Sequence, residues 1–159
     1  MLSSDSILDI YLQPEEFYWG DGETRIKTLL GSCIAICMWH PTLKIGGMSH
    51  SLLPSRGDKR PKEGFAEARY VDEAVELFVA EVRRSGTQPG QYRVKIFGGA
   101  NVLPSIQAEH AIGPRNYEMS KKALLRHGFS VFSEHTGGSG ARNIILDLWS
   151  GETWMRKLS

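Results

Sequence analysis

The chain has 159 residues, of which 41% are hydrophobic and 23% are charged, an ordinary composition for a globular protein. That is enough apolar surface for a core without a disulfide scaffold or a structural metal. The formal net charge of +1 gives no bulk attraction to nucleic acid. Apolar runs stay well below the ~20 residues that span a bilayer, and the first residues lack the basic and apolar regions of a signal peptide. We therefore expect one domain over residues 1–159, located in the cytoplasm, without nucleic-acid binding or membrane insertion.

The hydrophobic pattern predicts a series of strands. The first predicted strand is short and ends at Pro14, and a turn at Gly20–Gly22 follows it. The remaining predicted strands lie at 24–30, at about 34–39 and 44–53, and at 92–97, 129–134, 143–149 and 153–158.

Two segments carry helical signals. Over 65–84, apolar residues recur at i, i+3 and i+4 spacing. The second predicted helix covers 118–127, with Asn116 as its N-cap at the end of a loop over 112–116. Because strands and helices do not alternate strictly, we expect an α+β domain rather than a doubly wound parallel sheet. Its sheet should be mixed or mainly antiparallel, with two main helices.

Residues 28–54 are the stretch around which the chain is organised, two apolar runs separated by the break His40–Leu43. Four residues that include a proline suit a hairpin loop between antiparallel strands. If the residues that flank this break pair with each other, Cys33 pairs with His50. Directly opposed residues have Cβ atoms about 4.5–5.5 Å apart on one face, so the thiol and the imidazole would meet. A slip of one residue would send His50 to the other face.

A Cys–His pair is suited to nucleophilic attack on a carbonyl. The imidazole takes the thiol proton, and the thiolate is the attacking species. Backbone N–H groups in the Gly31–Ser32 turn, just before Cys33, are placed to hold a developing oxyanion. The alternative is that Cys33 is a small buried hydrophobic residue and His50 an ordinary strand residue with a hydrogen-bond partner.

The second cysteine, Cys37, reads as a core residue on the same face as Cys33. On a strand the two lie about 13 Å apart, which is beyond the reach of a disulfide. The same distance argues against a zinc site built from both cysteines with His40 and His50. We therefore expect no metal.

The two apolar runs resemble a known family. Leu30–Cys37 reads LGSCIAIC and Lys44–Pro54 reads KIGGMSHSLLP, and both are similar to the chemoreceptor glutamine deamidase family, CheD. In that family the Cys and the His at this spacing form the catalytic pair, assisted by a Thr five or six residues before the Cys. Those two positions hold Thr28 and Lys27 here, so the resemblance gives the role to Thr28. Taken alone, Thr28 is a strand residue of good β propensity.

Further segments carry the same resemblance: Arg69-Tyr70, Gly98-Gly99-Ala100, and Ile112-Gly113 followed by Arg115-Asn116. The double glycine forms either the rim of the site or a structural turn near it. Arg115 either binds substrate or braces its loop. The residues assigned to substrate binding or the oxyanion are therefore Gly31, Ser32, Gly98, Gly99 and Arg115.

The resemblance implies an α/β/β sandwich and hydrolysis of specific glutamine side chains on methyl-accepting chemotaxis receptors. This chemistry requires no cofactor. It also implies a CheC-type phosphatase as a partner, because some family members bind one. The alternative is a non-catalytic adaptor that binds the receptor or the phosphatase. A cysteine protease or a transglutaminase-like enzyme would share the chemistry but lacks the other family segments.

Overall fold

The structure, a computed structural model, describes residues 6–102, 107 and 110–158. Nine strands, two α-helices and two short 3₁₀ turns are found in this part of the chain. The strands are β1 Leu8–Tyr11, β2 Phe17–Asp21, β3 Thr24–Leu30, β4 Ile34–Trp39, β5 Ile45–Ser51, β6 Arg93–Gly98, β7 Val131–Thr136, β8 Arg142–Asp147 and β9 Thr153–Lys157. The helices are α1 Val71–Arg84 and α2 Ile112–Arg126.

The strands form two mixed sheets. The first has the order β1-β3-β8-β9 and the second the order β2-β5-β4-β6-β7. In each sheet one pair is parallel, β1 with β3 and β6 with β7, and the other pairs are antiparallel. The expected mixed sheet is therefore present, divided into two.

Two buried clusters show how the layers stack. One joins both helices to the second sheet and includes Ile34, Phe78 and Leu124. The other lies between the two sheets and includes Ile26 and Ile144 of the first sheet and Cys37 of the second. Since β4 contributes to both clusters from its two faces, every one of its residues is buried. This is the α/β/β sandwich, and the predicted α+β class with two main helices is confirmed.

The β4–β5 hairpin forms as predicted, but its register was predicted wrongly. Ala35, not Cys33, lies opposite His50. The His40 N–H donates to the Ile45 oxygen, and the His40 oxygen accepts from the N–H of Lys44, so the loop has four residues but begins one position later. The His40 Nδ1 atom accepts from the backbone N–H groups of two loop residues, and Lys44 closes the loop in the left-handed region at φ 57°. The slip of two residues leaves His50 on the expected face.

Other boundaries also differ from the predictions. The turn expected at Gly20–Gly22 lies partly inside β2, a strand that the sequence did not reveal. Helix α1 begins at Val71, six residues later than predicted. The expected loop over 112–116 is the first part of α2, and Asn116 is a helical residue rather than an N-cap. A proline at position 114 does not prevent this, because the first turn of a helix needs no N–H at that position.

Candidate active site

Cys33 and His50 face the layer between the two sheets. Cys33 packs against the cluster that contains Ala35 and Cys37, which alternate along β4. His50 lies directly opposite Ala35, so it projects from the same face. Cys33 directly precedes β4, two residues before Ala35, and in a regular hairpin a residue at that offset has its Cα about 7–8 Å from the opposing strand's residue, within reach of long side chains. The structure therefore brings the thiol and the imidazole to one side of the hairpin, without direct opposition.

The third member of the group comes from the other sheet. Thr28 on β3 is 1% exposed, and its Oγ1 lies 2.7 Å from Nδ1 of His50 and 2.8 Å from the backbone oxygen of Leu12. A carbonyl oxygen can only accept, so the single hydroxyl hydrogen of Thr28 is donated to Leu12. Nδ1 of His50 must then carry the imidazole hydrogen and donate it to Oγ1. The tautomer assigned in this way leaves Nε2 with a free lone pair.

Burial keeps both reactive groups neutral in the resting protein. His50 is 2% exposed, and this loss of solvation lowers the pKa of its imidazole to about 4. Burial also raises the pKa of the Cys33 thiol above its ordinary value. The backbone N–H of Cys33, directed at its own sulfur, acts in the opposite direction and is the smaller effect. The pair is therefore a thiol with a neutral base, so proton transfer has to accompany attack.

The loop before β4 is held through its carbonyl groups. The Gly31 oxygen accepts from Ala100 N–H at 3.2 Å, and the Cys33 oxygen accepts from Gly99 N–H at 2.9 Å. The Ser32 oxygen accepts from the side-chain amide of Asn116 at 3.1 Å. Because N–H and C=O point in opposite directions across a trans peptide, the N–H groups of Ser32 and Cys33 point away from these donors.

The double glycine contacts the backbone of Cys33. Gly98 adopts φ 102°, and a Cβ atom there would lie 2.2 Å from the Cys33 oxygen. Its own oxygen accepts from Gly137 N–H and, at 2.8 Å, from the guanidinium of Arg142. Arg142 is 1% exposed and also donates to the Gly137 oxygen. Close backbone approach, rather than an open rim, is thus the observed reason for glycine at 98.

The remaining predicted residue, Arg115, is placed differently. It lies in the opening turns of α2 with an exposed side chain. Over the residues that the structure describes, no hydrogen bond or ion pair of its guanidinium is found.

Two contributors to the site escaped the sequence reasoning. One is the Leu12 carbonyl, since a backbone acceptor leaves no signal in the residue type. The other is Asn116, which was read as a helix cap. The proline two residues before it favours a helix start near 112 rather than 116, and that reading would have placed Asn116 inside the helix.

Neither cysteine forms a disulfide, and within the described ranges no group of three or more His, Cys, Asp and Glu side chains is arranged to hold a metal ion. In the described part of the chain, no helix combines the length and the apolar character needed to cross a membrane.

Comparison with known proteins places the chain in a family. Residues 52–157 match the family described as CheD chemotactic sensory transduction. This match covers most of the chain but begins just after His50. Among similar curated proteins is the probable chemoreceptor glutamine deamidase CheD 3 of Dechloromonas aromatica, 44% identical over 92% of this chain and 86% of that protein. The chain belongs to the CheD family.

Two further proteins extend the comparison. The probable chemoreceptor glutamine deamidase CheD 2 of Albidiferax ferrireducens is 42% identical over 95% of this chain and 88% of its own length. Among solved structures, the hypothetical protein YfiH of Bacillus licheniformis matches with a TM-score of 0.48 and 13% identity. That match covers 77% of this chain and 49% of the YfiH chain.

Proposed function

We propose that this protein hydrolyses the side-chain amide of specific glutamines on chemotaxis receptors, with Cys33 as the nucleophile. The observation that carries the mechanism is the hydrogen-bond chain from His50 Nδ1 through Thr28 to the Leu12 carbonyl. It supports a free lone pair on Nε2, on the face of the hairpin that carries Cys33. The substrate class is supported by the names of relatives that cover most of this chain.

The first step is attack with proton transfer. Since thiol and imidazole are both neutral, Nε2 of His50 takes the thiol proton as the sulfur bonds to the carboxamide carbon. The π electrons of the C=O bond move to oxygen and form the oxyanion. His50 becomes a cation, and its Nδ1–H donates more strongly to Thr28, which the Leu12 carbonyl polarises in turn.

The oxyanion is assigned to the backbone N–H groups of Ser32 and Cys33. Their peptide carbonyls are bound on the opposite side, by Ala100 and Asn116 respectively. The backbone N–H of Cys33 also acts to lower the pKa of its own thiol. Donors fixed before the reaction stabilise the developing charge without reorganisation.

The second half of the reaction releases ammonia and then glutamate. The C–N bond breaks as His50 returns its proton from Nε2 to the leaving nitrogen, which leaves a thioester on Cys33. A water molecule, deprotonated by His50, attacks the thioester carbon. The C–S bond breaks and the thiolate recovers the proton, so the product is the glutamate side chain. No cofactor takes part in this sequence.

Space for the substrate adjoins the loop that carries the nucleophile. A pocket of about 240 Å³ is lined by Ser32, by Ala100–Val102 and by the start of α2. Its lining is mainly apolar, which suits the aliphatic part of a glutamine or a small neighbouring side chain. We assign this pocket to the receptor segment that presents the glutamine.

The test is the intact mass of a receptor cytoplasmic fragment after incubation with the protein. Each deamidation adds about 1 Da, because an NH₂ group is replaced by OH. We expect this gain with the wild type and with Cys37→Ala, the matched cysteine control, but not with Cys33→Ala. A gain with Cys33→Ala would exclude Cys33 as the nucleophile. No gain with any protein, together with measurable receptor or CheC-type phosphatase binding, would support the adaptor instead.

A further inference from the structure

We propose that Asn116 is a positioning residue that holds Cys33 in line with His50. Its single NH₂ group ties the loop before β4 to the end of β5. The inference rests on the proposed function only in taking Cys33 and His50 as the reacting pair.

The geometry is a fork from one planar amide. Asn116 is 0% exposed, and its Nδ2 lies 3.1 Å from the Ser32 oxygen and 3.0 Å from the Leu52 oxygen. The two amide hydrogens diverge in a fixed plane, so the fork holds these carbonyl oxygens about 5 Å apart. Ser32 shares its peptide with Cys33, and Leu52 follows His50 by two residues. One side chain therefore sets the distance between the two segments that carry the pair.

Asn116 also differs from the other supports of this loop. The carbonyls of Gly31 and Cys33 are held by the backbone N–H groups of Ala100 and Gly99. Of the three donors, only the middle one is a side chain. Substitution at 116 therefore releases the Ser32–Cys33 peptide while the flanking backbone hydrogen bonds stay available.

A purely stabilising role explains Asn116 poorly. Among the described residues, no hydrogen-bond partner is found for its buried Oδ1. The cost of leaving a buried acceptor unpaired is of the same order as the net gain from two neutral hydrogen bonds. Turning the amide over would face Oδ1 toward two carbonyl oxygens, so the observed orientation is the only favourable one. The contacts of Asn116 therefore fix the positions of the two carbonyl groups more than they stabilise the folded protein.

Reactivity of the Cys33 thiol tests the inference without a receptor. Iodoacetamide forms an S–C bond as iodide leaves, and His50 takes the thiol proton. Cys37 is buried and the pKa of its thiol is raised to about 12, so the reaction at pH 7 reports on Cys33. We expect Asn116→Leu and His50→Ala each to slow alkylation about tenfold or more, since small displacements of reacting groups have large rate effects. The double variant should be no slower than His50→Ala alone.

Two variants separate alignment from folding. Asn116→Asp keeps the shape, but its ionised carboxylate repels both carbonyls. Protonation restores one donor, so the alkylation rate relative to wild type should rise as the pH falls. Ser120→Ala is the matched control, because Ser120 is equally buried one turn later and its hydroxyl donates to Tyr117 O within α2. It should react as the wild type does.

The outcomes divide cleanly. Equal slowing by Asn116→Leu in the wild-type and His50→Ala backgrounds would overturn the inference, as would a pH-independent Asn116→Asp ratio. An unchanged alkylation rate in His50→Ala would also overturn the inference, because the rate would then not depend on the position of Cys33 relative to His50. With the receptor fragment, kcat of Asn116→Leu should fall about 10- to 100-fold with KM within twofold. Absence of deamidation by the wild type would refute the proposed function, while the alkylation results would still decide the role of Asn116.

Discussion

Replacing Thr28 by valine removes one hydroxyl group and almost nothing else. The side chain keeps its β-branched shape in the interior of β3. Two buried partners lose their contact, the Leu12 oxygen at 2.8 Å and His50 Nδ1 at 2.7 Å. Without Thr28 nothing else in the described contacts selects the tautomer with a free Nε2. We therefore expect both stability and catalysis to fall.

The magnitudes follow from these two contacts. A buried group left without its partner costs about 1–3 kcal/mol, so two such groups lower the free energy of unfolding by about 2–6 kcal/mol. In the reaction, Thr28 accepts from an imidazolium, and a hydrogen bond to a charged group contributes about 1.5–3 kcal/mol. That corresponds to a loss of about 10- to 150-fold in kcat.

The assay is the time course of the mass gain of the receptor fragment at several substrate concentrations, below the unfolding temperature of each variant. Thr28→Ser is the control, since it keeps the hydroxyl and should retain most of the activity. Wild-type kcat in a folded Thr28→Val protein would refute the tautomer argument. Equal losses in the serine and valine variants would refute it too, because the methyl group rather than the hydroxyl would then matter.

Two other properties follow from the site. The buried His50 has a pKa of about 4, below the 6.5 of an exposed histidine, so the unfolded chain binds the proton first as the pH falls. The free energy of unfolding should therefore decrease by about 3 kcal/mol between pH 6.5 and 4. Urea titrations should show a smaller decrease for His50→Gln. If stability fell equally with pH in the wild type and in this variant, His50 would not be the cause. Gly98→Ala should destabilise the protein beyond the ~1–2 kcal/mol cost of alanine at positive φ, and slow the alkylation of Cys33, because its Cβ would overlap the Cys33 oxygen. Gly86→Ala, at φ 70° with no atom within 4 Å of its Cβ, is the matched control for thermal unfolding; equal losses in both variants would show that the overlap has no effect.

The parts of the fold that the sequence predicts well are those with a clear period. The strand at 24–30 was predicted to its exact bounds, since its buried and less buried residues alternate without interruption. The predictions failed where glycine and proline serve packing instead of turns. Gly20 lies within β2 opposite Gly46 of β5. At Gly113 a Cβ atom would lie 2.1 Å from the Ala100 oxygen, so glycine there permits a close approach of α2 rather than a loop.

The site was predictable only where residue types carry the chemistry. Cys33 and His50 were identified from the hairpin pattern, and the family resemblance added Thr28. The exact pairing was missed, because a loop closed by a histidine side chain and a left-handed lysine has no common sequence signal. The sequence also does not predict long-range contacts, because an asparagine at position 116 does not specify which two carbonyls its amide will bind.

Under the proposed mechanism, each layer of the sandwich has a separate task. The first sheet supplies Thr28, which orients the base, and the second sheet carries His50 and the loop that ends in Cys33. The helical layer supplies Asn116, which contacts that loop and the end of β5 from the other side of the sheet. Loss of Thr28 should therefore impair proton transfer, whereas loss of Asn116 should impair the approach of sulfur to its base. A deamidation assay alone records both as lower kcat. The pH dependence of the Asn116→Asp variant distinguishes them, because a carboxyl group regains its donor on protonation and valine at position 28 cannot.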